Sequence, residues 1–354
     1  MSILEMPIIS VLTTFHNAES TLGEAIDSIC RQDMRAFELI LVDDGSTDRS
    51  AEVAQRFSDP RVRLLQPGRV GRSAALNLGL AFAQGTFVGI LDADDRAATS
   101  RLGEQVSYLL DHPDITLVAS DARLIDREGK FLGEMRVPLT HDEIVADLLS
   151  LNPFAHSSVA FRRDIALAIG GYNEKCIKSI DFNFYLALIA CGQRFGAIPK
   201  LLIDLRYYPD SWGRRDDDAT QIRFGILGLV NLRAVGLGKV SLFALSPCDW
   251  MVLQQLFDEW FERRGFLLRH RSQKYLSLCF YSCRNWSLFS AIKYALISIK
   301  YDPYSLFRRG LGFIYSKDTE DFLCFWNEAV ISNFTNALDQ SDHDIYLRDQ
   351  GPSL

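Results

Sequence analysis

The sequence predicts an α/β protein with a helical C-terminal extension. Three apolar runs each end in a polar cluster, and segments of helical period follow them. From Thr220 onward helical periodicity dominates, with many aromatics and no strand alternation. Strands that alternate with helices imply βαβ units, and their right-handed crossovers bring every strand tip to the same sheet edge. Clusters far apart in the chain therefore converge on one crevice outside the strand C-termini, where open α/β sheets bind ligands.

The first run, Ile8-Ile9-Ser10-Val11-Leu12, leads into Thr13-Thr14-Phe15-His16-Asn17-Ala18-Glu19. In the helix that follows, Leu22, Ala25, Ile26, Ile29 and Cys30 share one face at i, i+3/i+4 and i+7/i+8 spacing. The second run, Phe37 to Val42, leads into Asp43-Asp44-Gly45-Ser46-Thr47-Asp48. A further helix near Ser73 to Ala83 carries Ala74, Ala75, Leu78 and Ala81 on its apolar side. The third run, Thr86 to Leu91, reads as a buried strand and ends in Asp92-Ala93-Asp94-Asp95. Clustered Asp at a strand tip offers hard oxygen ligands. Mg²⁺ and Mn²⁺ suit such oxygens and take only one or two carboxylates plus phosphate oxygens from a substrate. Alone, the cluster reads equally well as a solvated acidic turn.

Composition agrees with a globular enzyme. The chain has 354 residues, 48% of them hydrophobic and 23% charged, enough for a substantial core. A net charge of −7 argues against a nucleic-acid binder, which would show a basic domain. The seven cysteines are odd in number and lie mostly in apolar contexts, so they read as reduced core residues of a cytosolic protein. Cys279-x-x-x-Cys283 lacks a fitting partner at His270 and is a weak metal signal. The N-terminus has no basic-plus-apolar signal, and no window of 18 uncharged apolar residues exists.

Taken in order, T-F-H-N-A-E, V-D-D-G-S-T-D, A-L-N-L-G and L-D-A-D-D resemble the catalytic domain of family 2 glycosyltransferases over residues 7 to 210. The resemblance implies a GT-A nucleotide-diphospho-sugar transferase fold, a Rossmann-like mixed sheet flanked by helices. It also implies inverting transfer from a nucleotide-diphosphate sugar, with a UDP-sugar as donor and Mn²⁺ or Mg²⁺ as cofactor. Asp44 is similar to the carboxylate that reads uracil, since an ionised Asp accepts hydrogen bonds from a base N–H. The same residue serves as a turn former, and Asp43 reads as a pure cap. Thr14 and His16 match the positions that bracket the base, the second being usually Tyr in the family. Asn17 joins this nucleotide group, and Glu19 either contacts the nucleotide or caps the first helix. Asp94 aligns with the metal ligand and Asp92 with the carboxylate facing ribose and metal, while Asp95 supports them or caps a helix. Asn77 and Gly79 resemble an R-N-x-G motif in which Leu76 replaces Arg, and Arg72 is the substitute cation or a solvated surface residue.

An inverting transfer needs a base to take the acceptor proton. The family's base follows a G-G-[YF]-[DN]-E segment. Here Gly170-Gly171-Tyr172-Asn173-Glu174 precedes Ser179-Ile180-Asp181, so the resemblance assigns Asp181, with Ile180 where Glu is common. Asp181 also fits the N-cap of an apolar helix from Phe182 to Ala190. His156-Ser157-Ser158, after Asn152-Pro153, resembles the family's strand lining the acceptor side, and His156 is either an acceptor contact or a structural His. Tyr208 stands near the place of a family His. Trp212 and Arg214 read as a lid over sugar and phosphate or as a plain linker.

The expected organisation is a catalytic domain at 1–215, a helical domain at 216–338 and a polar tail at 339–354. Residues 262 to 317 hold eleven Lys/Arg against Glu262 and Asp302, interleaved with aromatics. That pattern fits peripheral contact with an anionic membrane at its cytoplasmic face, or a packing domain with solvated charges. The acceptor expected is a hydroxyl of a surface polysaccharide or a lipid-linked glycan. Two rivals stand beside this reading. A non-catalytic nucleotide-sugar-binding relative would lose the base, and a sugar-nucleotide pyrophosphorylase would open with a Gly-rich basic loop, which Thr13 to Glu19 lacks.

Overall fold

The structure, a computed structural model, describes residues 6–149, 152–207, 220–236, 238, 241–247, 250–251 and 253–254. The chain divides into two compact units, Met1–Pro303 and Tyr304–Leu354, and every described residue belongs to the first. The expected boundary at residue 215, the basic stretch 262–317 and the tail 339–354 lie outside the described residues.

Strands β1 (Ile9–Phe15), β2 (Phe37–Asp43), β3 (Val62–Leu65) and β4 (Phe87–Ile90) pair in parallel in the order β3-β2-β1-β4. Helices α1 (Leu22–Cys30), α2 (Ser50–Gln55) and α3 (Arg72–Phe82) make the crossovers. Every residue of β2 is buried, as a central parallel strand with both faces covered requires. The buried Glu38 in it accepts from Ser10 Oγ at 2.6 Å, Gln84 N at 2.7 Å and Arg63 at 3.3 Å, so its charge is compensated. The strand order turns back at β1, which lies between β2 and β4, and this opens a crevice at their C-terminal ends.

Helix α1 buries Leu22, Ala25, Ile26 and Ile29, as its spacing predicts. Helix α3 does not follow its expected face. It buries Ser73, Ala75, Leu76, Gly79 and Leu80, while Ala81 is exposed. The reason is close packing on the sheet: a Cβ at Gly79 would lie 3.3 Å from Leu12, so the helix approaches β1 through its smallest residue. A run rich in Ala leaves the face ambiguous, and Gly79 decides it.

The second half of the sheet is mixed. It contains β5 (Arg96–Ala97), β6 (Ile115–Ile125), β7 (Phe131–Met135), β8 (Ala160–Arg162) and β9 (Arg194–Arg206). Antiparallel β8 joins β4 to β6, β6 runs parallel to β9, and β5 and β7 pair antiparallel at their neighbours. Helices α4 (Arg101–Asp111), α5 (His141–Leu148), α6 (Arg163–Ala168) and α7 (Ile180–Ala190) accompany these strands. In α5, Thr140 and Glu143 form a capping box. Arg101 lies wholly inside the core and donates to the carbonyls of Ile90 at 2.7 Å and Val159 at 3.2 Å, so it ties β4 to the segment before β8. Helix α8 (Thr220–Gly236) begins the helical extension and packs on α7, where Asn183 donates to Phe224 O at 3.1 Å.

Among the described residues no helix is long and apolar enough to cross a membrane. The described cysteines correct the uniform core reading. Cys176 is buried and Cys30 half-buried, but Cys191 is exposed at the end of α7.

Candidate active site

The residues expected on the nucleotide side gather at the tips of β1 and β2. Asp44 is buried, and its Oδ1 accepts the backbone N–H of Val70 and Gly71, both at 2.8 Å. Its Oδ2 accepts from Arg69 at 2.9 Å. The carboxylate thus fastens the turn that starts α3, which is the turn-forming role. Gly45 lets the same turn approach: at φ +70 a Cβ there would lie 2.9 Å from Arg69 N. His16 Nδ1 sits 3.0 Å from Asp44 O, and a carbonyl only accepts, so Nδ1 is the donor in this contact. Asn17, at φ 54, accepts from Thr47 N at 2.8 Å and locks the 46–48 turn. Glu19 accepts from Arg49 at 3.2 Å in an exposed pair, and α1 starts later, at an N-cap position held by Thr21. Thr14 is half-buried near the end of β1.

The acidic tip beyond β4 is held from two directions. Asp92 Oδ1 accepts from Arg72 at 2.6 Å, and Asp92 N donates to Ser157 Oγ at 2.9 Å. Burial would raise the Asp92 carboxyl, but the Arg72 guanidinium outweighs it and holds the group well below the usual carboxylate range. Arg72, the first residue of α3, feels the reverse. Burial would lower it, yet Asp92, then Asp181 and Asp94, raise it. Asp95 is buried, accepts from Ser157 Oγ and, at 2.8 Å, from Arg206 N, and its carboxyl is pushed up by burial and then by Asp94 and Asp92. It therefore supports the tip rather than facing a ligand.

Arg206, at the end of β9, completes the support. It donates to Asp94 O at 2.8 Å, Asp126 O at 3.3 Å, Glu24 at 2.8 Å and the carbonyl of Arg127. Sequence reasoning named neither Arg206 nor the role of Ser157 at the tip. Arg206 closes Leu201-Leu202-Ile203-Asp204-Leu205-Arg206, and an Arg that ends an apolar run is the one available hint.

The base candidate arrives from the mixed half. Helix α7 begins at Ile180 with Ser179 at the N-cap position, so Asp181 lies inside the first turn and is not the cap. Asp181 Oδ2 accepts from Asn152 Nδ2 at 2.8 Å. Its charge acts on Arg72 and, after burial, is the leading cause that raises Tyr172 and Tyr185. His156 is buried in a single 3₁₀ turn, His156–Ser158, where the resemblance implies a strand; the strand β8 starts only at Ala160. Arg72 only donates, so His156 accepts at Nδ1, 3.3 Å away, and gives its Nε2 proton to the Tyr172 hydroxyl at 3.0 Å. Both ring nitrogens are used, which is the structural role. Asn77 clamps the loop before α7: it accepts from Tyr172 N at 2.7 Å and donates to Tyr172 O at 2.8 Å.

The structure thus brings Arg72, Asp92, Asp94, His156 and Asp181 to one place, with Asp44, His16 and Asn17 along the neighbouring strand tips. Tyr208, Trp212 and Arg214 lie outside the described residues. Among the described residues no group of three or more His, Cys, Asp or Glu side chains could cage a metal. Asp92 and Asp94, both half-buried, are the carboxylates that could hold a hard cation whose remaining ligands come from substrate phosphate.

Comparison with known proteins identifies the family. The model of glycosyl transferase family 2 matches residues 10–170. The amylovoran biosynthesis glycosyltransferase AmsE of Erwinia amylovora is 30% identical over 211 residues, covering 58% of this chain and 79% of that protein. WfgD of Escherichia coli, a UDP-Glc:alpha-D-GlcNAc-diphosphoundecaprenol beta-1,3-glucosyltransferase, is 28% identical over 192 residues, covering 50% of this chain and 74% of that protein. A solved structure of S. aureus TarS 1–349 with UDP-GlcNAc shares the fold at a TM-score of 0.52 and 16% identity, covering 81% of this chain and 90% of that one.

Proposed function

The chain belongs to glycosyl transferase family 2, with the GT-A fold, and on that premise we propose an inverting, metal-assisted transfer from a UDP-sugar to a glycan hydroxyl. The observation that supports this reading is the cation Arg72, which donates to Asp92 at 2.6 Å and is raised by Asp92, Asp181 and Asp94, so that donor-side and acceptor-side carboxylates meet on it. Relatives named for amylovoran synthesis and for a diphosphoundecaprenol-linked acceptor support a surface-polysaccharide or lipid-linked glycan as the acceptor.

In this mechanism Asp181 takes the proton of the acceptor hydroxyl. The acceptor oxygen bonds to the anomeric carbon from the face opposite the nucleotide, and the bond from that carbon to the phosphate oxygen breaks. Its electron pair leaves with UDP, so the anomeric configuration inverts. Asp94, with Asp92, would hold Mn²⁺ or Mg²⁺, which supplies neutralisation of the departing diphosphate's charge. Arg72 adds a fixed cation beside the same oxygens. Asp44, His16, Asn17 and Thr14 line the nucleoside side.

Two measurements test this. Titration calorimetry with UDP should show binding that needs Mn²⁺ and is lost in Asp94→Ala, because clustered carboxylates repel a diphosphate. Asp181→Asn should cut UDP-sugar turnover by about 10²- to 10⁴-fold while UDP affinity stays as it is. Equal UDP affinity without metal sinks the metal assignment, and unchanged turnover in Asp181→Asn sinks the base.

A further inference from the structure

Asn152 opens a strap that runs from the base to the donor side. Pro153 to Ala160 are all buried, and within this stretch His156 meets Arg72 while Ser157 meets Asp92 and Asp95. At its start, Asn152 Nδ2 donates to Asp181 Oδ2 at 2.8 Å. The amide is oriented independently of that contact. Asn152 Oδ1 accepts the backbone N–H of Phe154 at 3.2 Å, which leaves the NH₂ group to face the carboxylate. Phe154 is fixed in turn, edge-on to Tyr185 at a 5.3 Å centroid distance and stacked on Phe195 at 6.3 Å.

We propose that Asn152 is a positioning residue for the transfer. It holds one oxygen of Asp181 so that the other is presented to the acceptor hydroxyl, and the strap fixes the base relative to Asp92 and Asp94. The torsion that turns a carboxylate is broad, so an unheld Asp181 would present its oxygens over a wide arc. Displacement of a reacting group by about 1 Å costs about 10²-fold. This inference rests on the reading of Asp181 as base.

Asn152→Asp separates positioning from turn formation. The new carboxylate is nearly isosteric and still accepts the Phe154 N–H, but it cannot donate to Asp181 and places a like charge beside it. The full-length protein, with Mn²⁺ and whichever of a panel of UDP-sugars releases UDP fastest, is assayed alongside Asn152→Ala. In both variants kcat should fall by about 10- to 100-fold, with Asn152→Asp at least as low, while donor KM stays within about twofold. Placed in an Asp181→Asn background, Asn152→Asp should cost no further turnover. Wild-type kcat in Asn152→Asp beside an impaired Asn152→Ala makes the residue a turn former and overturns the proposal. So does a joint collapse of melting temperature, UDP affinity and kcat. Full turnover in Asp181→Asn alone removes the base reading, whereas an inactive Asp181→Asn beside an active Asn152→Asp removes only this inference.

Discussion

The two halves of the sheet hold one site by different means. In the parallel half, β3-β2-β1-β4, functional groups sit at the tips of their own strands, and neighbouring turns fasten them. Asp44 is held by Arg69, Val70 and Gly71, and His16 leans on Asp44. In the mixed half the supports come from far along the chain. Arg206 reaches back 112 residues to Asp94 O and 182 residues to Glu24, and Ser157 reaches 62 residues to Asp95. The proposed nucleotide side is thus built from local βα units. The distance from there to Asp181, the proposed base, depends on long-range hydrogen bonds.

The largest expected effect follows from that dependence. Arg206→Met keeps an apolar stem but removes the guanidinium that donates to the carbonyls of Asp94, Asp126 and Arg127, of which Asp126 O keeps the Gly129 N–H at 3.1 Å, while the half-exposed Glu24 regains water. Losing these charge-assisted hydrogen bonds together should cost about 3–5 kcal/mol of unfolding free energy. The counterpart in the parallel half is Arg49→Met, which loses an exposed pair with Glu19 worth about 0–1 kcal/mol. Urea denaturation of both variants compares them directly. Equal losses would break the contrast between the halves.

The same contrast explains what was legible in the sequence. β1, β2 and β4 were readable because each is a short apolar run that ends in a polar cluster, a signal contained within ten residues. Motif order puts Asp92, Asp94 and Asp181 forward as site candidates, and in the structure the charge of each acts on Arg72, Asp92 by direct contact at 2.6 Å. The face of α3 was not readable, since Ala at several positions leaves the choice to Gly79 and its contact with Leu12. Antiparallel β8, only Ala160–Arg162, carries no alternation long enough to detect. Ser157 and Arg206 were invisible for a deeper reason. A residue whose work is to accept or donate across 62 or 112 residues has no local pattern to announce it. The basic stretch 262–317 remains a sequence expectation, outside the described residues.

The smallest expected effect sharpens the comparison from the parallel side. Asp59 and Arg61 form a two-point pair just before β3: Oδ2 accepts from Arg61 at 2.7 Å and Oδ1 at 3.0 Å. The hydrogen bonds from Arg61, opposed by burial, hold the Asp59 carboxyl below its usual range. A carboxyl lowered in the folded state contributes stability above its unfolded value, about pH 3.9, and loses it as pH falls through the folded value. In Asp59→Asn, Arg61 stays anchored by Cys30 O at 3.2 Å and by the Phe37 ring 4.0 Å below it. The variant should therefore lose only about 1 kcal/mol near neutral pH. That difference from wild type should hold steady from about pH 7 to pH 5 and shrink below about pH 4. Thermal melts of both proteins across that range read the effect. A difference that grows on acidification would reverse the sign of the linkage, and a loss as large as that of Arg206→Met would show the parallel half to depend as heavily on one ion pair as the mixed half does.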